Sequence, residues 1–435
     1  MSDIVLDKMF VCTDSGYGKI GHNKYWSVKV FTDGRMETEY GRVGDPGAST
    51  TKDFGNEATA LKKANQLIKK KEKGKARKDG KGRDSQYKEV EIIGKVSSSN
   101  GAKSVGRSAW KTIAKGDTEV ESLISLLDRE NIHNITSGTT LTYDEHTGLF
   151  STPLGVVGQN SIDSARVVLS KMKDLVEKKK FGKEGDKIAE EFMMIIPQNI
   201  GRRKRPTLQT ICPTLDKLEE HNSILDSLQA SLDIVLTPKD TPDDKDEVED
   251  FGVTLSLMND KKEFDRLVKF YGSTKRSQHV CHHLSMQRIF SVEHKDMNKQ
   301  FEIKGENIGN VQELWHGTRI GNILSILAKG MHIPPSSASH CTGRLYGDGL
   351  YFSDQSTKSL NYSYGYWSGN RNNHCFMFLF DVAMGKSYTP SGGIKSIPSG
   401  YDSCFAKAGN SGVRNNEMIV YKSFQCRPKY LIEFK

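Results

Sequence analysis

The chain has 435 residues, 36% hydrophobic and 27% charged, with a net charge of +9. That is apolar material for about two to four domain cores, and no run of about 18 apolar residues is present to span a bilayer. The opening MSDIVLDKMF lacks a charged segment leading into an apolar one, so no secretory leader is expected and residence inside the cell is.

In chain order, HNKYWSVKVFTDGRMETEYGRVG alternates polar and apolar residues about Asp33-Gly34, which predicts a hairpin. Glu57 to Lys71 predicts an amphipathic helix with Ala58, Leu61, Ala64, Leu67 and Ile68 on one side. KEKGKARKDGKGRDSQ is too polar to bury and predicts a loop, after which Tyr87, Val90, Ile92 and Ile93 predict a return to the sheet. Between Lys62 and Lys88 stand twelve Lys/Arg and three acidic residues, so this one stretch carries the whole net charge. Such a concentration suits a polyphosphate partner, a solvated loop being the plainer alternative. Residues 1–100 therefore form a first domain containing the basic segment 62–88, and 101–118 reads as a linker.

Helical spacing follows over 119–240, in Glu119–Asp128, Ser161–Lys180, Asp186–Ile195 and Leu215–Leu236, with leucine stripes that read as core faces. TPKDTPDDKDEVED is acidic and expected to be exposed. From 250 to 435 the pattern turns strand-like, with runs at Val280–Val292, Cys375–Val382, Glu417–Tyr421 and Tyr430–Phe434. The whole is an α+β multidomain chain. Its seven scattered cysteines form no C-x-x-C pair and read as reduced thiols. Cys281-His282-His283 has no second ligand pair at zinc spacing, so no metal is expected.

Three segments of the last domain carry chemistry: Leu314-Trp315-His316-Gly317-Thr318-Arg319, Gly347-Asp348-Gly349-Leu350-Tyr351-Phe352 with Lys358-Ser359-Leu360-Asn361-Tyr362, and Asn416-Glu417-Met418-Ile419-Val420-Tyr421. Each alone is an ordinary turn or strand. In this order they resemble the catalytic domain of the poly(ADP-ribose) polymerase family, which implies a split antiparallel β ADP-ribosyltransferase fold over 250–435 and NAD+ as substrate. The resemblance implies catalytic roles for His316, Tyr351 and Glu417. It places His316 on the adenosine-ribose hydroxyls, Gly317 and Ser359 on the nicotinamide amide, and Tyr362 on the nicotinamide ring. Thr318, Ser325 and His332 fall at further NAD positions. Thr318 replaces a serine and keeps its hydroxyl, and His332 stands where an arginine is common.

Upstream, Asn23-Lys24-Tyr25-Trp26 and Tyr40-Gly41-Arg42-Val43-Gly44 resemble the family's WGR domain, a β-sheet plus helix, with Tyr40 in place of the signature tryptophan. Arg42, Tyr40, Lys24 and Tyr87 are the implied DNA contacts. Thr152-Pro153-Leu154-Gly155 and Glu191-Phe192-Met193-Met194-Ile195-Ile196-Pro197 resemble its α-helical bundle regulatory domain, here 119–240. Taken together, the resemblance implies a transferase that modifies protein acceptors, itself included, activated by DNA breaks, and nuclear in a eukaryote. The alternatives left open are a mono-ADP-ribosyltransferase and a DNA-binding scaffold with an inactive transferase domain.

Overall fold

A computed structural model describes residues 2–14, 22–42, 47–76, 83–84, 86–90, 113–144, 149–152, 155–200, 204–236, 252–333, 344–366 and 371–435. They divide into two units, Met1–Ala102 with His133–Leu232, and Lys103–Ile132 with Asp233–Lys435.

The first unit opens with strands β1 (Ile4–Asp14), β2 (His22–Phe31), β3 (Arg35–Arg42) and β4 (Ala48–Asp53). A short ladder of β5 (Lys75–Ala76) and β6 (Arg83–Asp84) precedes β7 (Lys88–Val90), and the sheet runs β4-β3-β2-β1-β7, all antiparallel. The predicted hairpin turn joins β2 to β3. Gly34 adopts φ +89° there, and a side chain at this position would strike the Asn56 backbone. Asn56 caps the next helix, Glu57–Lys73, by accepting from the Thr59 amide at 2.9 Å. Strand alternation then sorts the two faces. Phe10, Trp26, Val28, Val30 and Met36 pack on Ala60, Ala64 and Ile68 of that helix. Met9, Val11 and Tyr25 face the other way, against Met194 of helix Lys183–Ile195.

The helical part of this unit is built on the predicted stripes. Helix Gln159–Glu177 buries Ile162, Ala165, Val168, Leu169, Met172 and Val176, and Lys183–Ile195 buries Ala189, Phe192 and Met193. Strands β8 (Thr142–Asp144), β9 (Leu149–Thr152) and β10 (Gly155–Val156) form a small sheet before them. Helix Leu215–Leu236 carries His221, which is buried, tilted on the Phe192 ring at 5.1 Å, and donates from Nε2 to the Ile211 carbonyl at 2.9 Å. Its Nδ1 has no hydrogen-bond partner among the described residues. Burial pushes the imidazole from 6.5 down to about 4. The unfolded chain therefore takes up this proton first as pH falls. The stability is complete above about pH 6.5 and is lost toward pH 4, amounting to about 2 kcal/mol between pH 7 and pH 5. Urea unfolding of the wild type and His221→Gln at both pH values is expected to show this loss in the wild type alone; equal slopes would remove His221 as its source.

The second unit holds Val120, Leu123, Ile124 and Leu127 of helix Thr118–Gly138 in its core. Ile113 and Ala114, within the stretch read as a linker, are buried in the same core. Strands β11 (Val253–Leu257), β12 (Met286–His294), β13 (Val311–Gly317), β15 (Cys375–Ala383) and β19 (Cys426–Phe434) form a sheet of order β11-β12-β19-β15-β13, and β14 (Leu350–Phe352), β16 (Ser387–Tyr388), β17 (Ser403–Ala406) and β18 (Glu417–Val420) form a second of order β14-β18-β17-β16.

Every residue of β15 is buried, because both its faces are covered. Phe376, Phe378, Phe380 and Val382 enter one core, while Cys375, Met377 and Leu379 enter another with Trp315 and helix Lys261–Thr274. Each buried phenylalanine contributes on the order of 2–3 kcal/mol. One strand expectation is corrected. Val280–His283 is a 3-10 turn, and the strand begins at Met286. Two side-chain bonds hold this segment: the Tyr271 hydroxyl donates to the Leu284 carbonyl at 3.0 Å, and Cys281 Sγ donates to the Thr357 carbonyl at 3.3 Å. No helix among the described residues is long and apolar enough to cross a membrane.

Candidate active site

The two sheets of the second unit meet where β13 ends. Trp315 and Ser353 exchange backbone hydrogen bonds of 2.9 and 3.0 Å, which lays the end of β13 beside the end of β14. Trp315 anchors this edge, fully buried and stacked on Phe270 at 5.3 Å. Side-chain alternation along β13 then turns His316 away from Trp315, toward the rings of Phe352 and Phe380 at 5.6 and 6.0 Å.

His316 Nδ1 lies 2.9 Å from the Tyr351 carbonyl. A carbonyl only accepts, so Nδ1 carries the hydrogen and Nε2 is left as an acceptor for an incoming hydroxyl. Burial lowers the imidazole pKa below its usual range, the nearby Lys358 ammonium adds to the same direction, and the bond to Tyr351 opposes it. The neutral ring is therefore the form present near neutral pH. Tyr351 uses its own hydroxyl to hold the preceding turn, accepting from the Tyr346 amide at 3.1 Å and donating to the Gly347 carbonyl at 2.8 Å.

Glu417 opens β18, next to Ala406 of β17 and one step from the Phe352–Met418 pair. Its Oε1 lies 2.9 Å from Lys358 Nζ, with side chains only 16% and 10% exposed. Sequence reading did not single out Lys358. It sits in the K-S-x-N-Y segment, but no local pattern announces a partner that arrives from a strand 59 residues later. Burial drives the ammonium below its usual range, while Glu417 first and then Asp354 draw it back up. The result is a paired charge in a nearly dry site, where electrostatic effects are large.

The helix Ser356–Tyr364 carries Lys358, Ser359 and Tyr362. Ser359 is buried and donates to the Trp315 carbonyl at 3.0 Å, which ties this helix to β13. Gly317 makes that approach possible, since a Cβ there would overlap the Ser359 carbonyl. Tyr362 is 36% exposed. The predicted residues His316, Gly317, Tyr351, Ser359 and Glu417 are thus brought together through β13, β14, β18 and this one helix. Thr318 follows directly and accepts from Asn322 Nδ2 at 3.2 Å. Ser325 lies in helix Ile320–Lys329 and His332 is exposed beyond its C-cap Gly330; among the described residues no hydrogen bond ties either to the rest.

On the other side of the helix, buried His279 sets Nδ1 2.9 Å from Thr357 Oγ1, next to Lys358. This contact too lay outside the sequence reading. In the first unit, Lys24 pairs with Arg42 and Trp26 with Tyr40 across β2 and β3, so all four project from one face. Tyr40 is 52% exposed. Lys71 places its ammonium 5.4 Å from the Trp26 ring and 4.6 Å from the Tyr87 ring, and burial together with Lys24 lowers its pKa. The implied DNA contacts Lys24, Tyr40, Arg42 and Tyr87 therefore gather around one aromatic-cationic patch. Val43 and Gly44, and residues 77–82, 91–100, 153–154 and 237–250 from the segments read above, lie outside the described residues.

The split sheets and this convergence define a class, mixed α and antiparallel β, and comparison with known proteins gives the family. Residues 7–83 match the WGR domain, 115–250 the poly(ADP-ribose) polymerase regulatory domain, and 261–407 the poly(ADP-ribose) polymerase catalytic domain. The last span includes His316 and Tyr351 and stops short of Glu417, whose place rests on its own geometry. A "Poly [ADP-ribose] polymerase" of Sarcophaga peregrina is 27% identical over 278 residues, 62% of this chain and 27% of its own length. The Homo sapiens "Protein mono-ADP-ribosyltransferase PARP3" is 23% identical over 473 residues, 95% of this chain and 85% of its own. A "Putative poly [ADP-ribose] polymerase-like 100L" of Invertebrate iridescent virus 6 is 38% identical over 130 residues, 27% of this chain and 68% of its own. The chain belongs to the poly(ADP-ribose) polymerase family. It spans less than a third of the Sarcophaga relative's length.

Proposed function

We propose that the chain is a DNA-dependent NAD+ ADP-ribosyltransferase that moves ADP-ribose from NAD onto protein acceptors, itself included, when DNA nicks or ends are present. The observation that carries this reading is the Glu417–Lys358 pair, 2.9 Å apart and nearly buried, set beside the neutral His316. Cleavage of the nicotinamide–ribose bond develops positive charge on the sugar, as glycoside cleavage does. The Glu417 carboxylate stabilises that charge and accepts a hydrogen bond from a ribose hydroxyl. Nicotinamide leaves with the bonding pair, and the acceptor oxygen forms the new bond to the ribose carbon. Where the acceptor is a hydroxyl, its proton passes to the Glu417 carboxylate.

His316 Nε2 accepts from an adenosine-ribose hydroxyl, Gly317 and Ser359 hold the carboxamide, and Tyr362 covers the nicotinamide ring. Most of these contacts orient NAD, and orientation is worth up to about 7–11 kcal/mol in favourable cases. Thr318, Ser325 and His332 extend the same groove toward the diphosphate and adenine.

DNA dependence rests on the patch of Lys24, Tyr40, Arg42 and Tyr87 and on the concentrated positive charge around it. DNA contact would then shift the helical region toward an open state. Incubating the full chain with labelled NAD, with and without nicked DNA, and sizing the products on a gel tests the whole reading. Label on the protein, increased by nicked DNA, is expected. A ladder indicates a polymer and a single band a mono-ADP-ribosyltransferase. No incorporation under either condition would leave the DNA-binding scaffold as the better description.

A further inference from the structure

Glu417 is held by its neighbour in the chain. Asn416 donates from Nδ2 to Asp354 Oδ2 at 2.7 Å and accepts at Oδ1 from the Ala408 amide at 2.9 Å. Its carbonyl accepts from Ser353 Oγ at 3.2 Å, and Ser353 Oγ in turn accepts from the Gln355 amide at 3.1 Å. One asparagine thus joins three segments: the start of β18, the end of β17, and the turn that leads into helix Ser356–Tyr364. That turn is itself fixed to β13 through the Trp315–Ser353 bridge. The side chains of Glu417, Lys358 and His316 are therefore positioned through one hydrogen-bonded joint.

Asp354 has a second feature. Its Oδ1 is buried and has no hydrogen-bond partner among the described residues. A buried carboxylate oxygen without a donor is costly unless a cation stands near it. Lys358 stands four residues on and interacts electrostatically with Asp354 as well as with Glu417. The ammonium is bonded in this structure to Glu417.

We propose that Asn416 and Asp354 are positioning residues for the chemistry at Glu417: Asn416 clamps the glutamate's strand to the Asp354 turn, and Asp354 is the second counter-ion of Lys358, which it holds when Glu417 engages a ribose hydroxyl. This deepens the transferase reading and rests on it. The arrangement solves a specific difficulty. A glutamate bonded only to a buried lysine would have to leave that lysine unpaired in order to serve the substrate, and an unpaired buried charge is strongly unfavourable. A second carboxylate lets the ammonium move between partners without ever being alone.

The test uses the full chain, labelled NAD and nicked DNA, with Asn416→Asp, Asp354→Asn and the double exchange. Asn416→Asp keeps the acceptor for Ala408 but sets two carboxylates face to face. It is expected to lower kcat roughly ten- to a hundredfold with little change in KM for NAD. The double exchange restores a complementary pair and is expected to recover most of that loss. Asp354→Asn keeps a hydrogen-bond acceptor for Asn416 and removes only the charge. It is expected to lower kcat and to move both limbs of the pH–rate profile to lower pH, since losing a nearby negative charge favours deprotonation on each side. A merely structural role would leave the limbs in place. Should Asn416→Asp fail to fold, Asp354→Asn carries the decision through its pH profile. An active wild type with all three variants within about twofold of it and unmoved limbs would overturn the clasp alone. A wild type that neither transfers nor hydrolyses NAD would overturn the transferase reading and the clasp with it.

Discussion

Lys358→Met is expected to cost the second unit about 3–5 kcal/mol of stability, while Glu417→Gln costs transfer activity roughly a hundred- to a thousandfold. The two effects separate because the pair does two things. Glu417 and Lys358 are 16% and 10% exposed, so each is the other's close counter-charge with little solvent between them. Removing the lysine leaves a carboxylate without its partner at 2.9 Å, and Asp354 nearby adds a like charge. Removing the glutamate charge is milder for folding, since Lys358 retains Asp354, but takes away the group proposed to meet the developing positive sugar. The double variant Lys358→Met/Glu417→Gln is then expected to recover only part of the Lys358→Met loss, because Glu417 no longer brings a charge that lacks its partner while Asp354 still does. It stays inactive. Urea melts of the full chain set beside turnover of labelled NAD complete the cycle. A Lys358→Met protein as stable as the wild type, or a Glu417→Gln protein that still transfers at the wild-type rate, would show that the pair does not have these roles.

The difference between what local sequence shows and what the fold adds is clearest at this pair. The order of His316, Tyr351 and Glu417 along the chain could be read, as could the Asp33-Gly34 hairpin turn and the helix that begins at Glu57. Those signals are local: a turn type, a 3.6-residue stripe, a short motif. Lys358, Asp354 and His279 could not be read, because their meaning is supplied by segments far along the chain. Lys358 resembles any helix lysine until β18 is laid beside it. His279 stands just before a run that looks like a strand and opens as a turn instead, and its hydroxyl partner Thr357 is 78 residues away. Tyr351 illustrates the same limit differently. Its place on β14 was legible from Leu350-Tyr351-Phe352, yet its hydroxyl is spent on the 346–347 turn, which only the folded loop reveals. The helix Thr118–Gly138 is a third case. Its apolar stripe is visible, but periodicity does not state which core the stripe enters, and residues up to Leu127 enter the core of the second unit.

Gly317→Ala is expected to reduce transfer at least about a hundredfold and to destabilise the second unit by several kcal/mol, on the scale of forced overpacking in a core. No unusual φ is involved; the requirement is one of space. The Cβ would overlap the carbonyl carbon and oxygen of Ser359, backbone atoms that cannot rotate out of the way. The helix Ser356–Tyr364 would have to move off β13, breaking the Ser359 bond to the Trp315 carbonyl. That movement displaces Lys358, Ser359 and Tyr362 together, so one methyl group disturbs the counter-ion of Glu417 and the nicotinamide contacts at once. The conservative partner is Ser359→Ala, which loses one hydrogen bond and leaves the helix in place; it is expected to cost about 1 kcal/mol in stability and to act mainly on KM for NAD. Comparing the two by thermal melting and by NAD titration isolates the backbone approach from the hydroxyl. If Gly317→Ala behaved like Ser359→Ala in both measurements, close packing of this helix on β13 would not be what holds the site together.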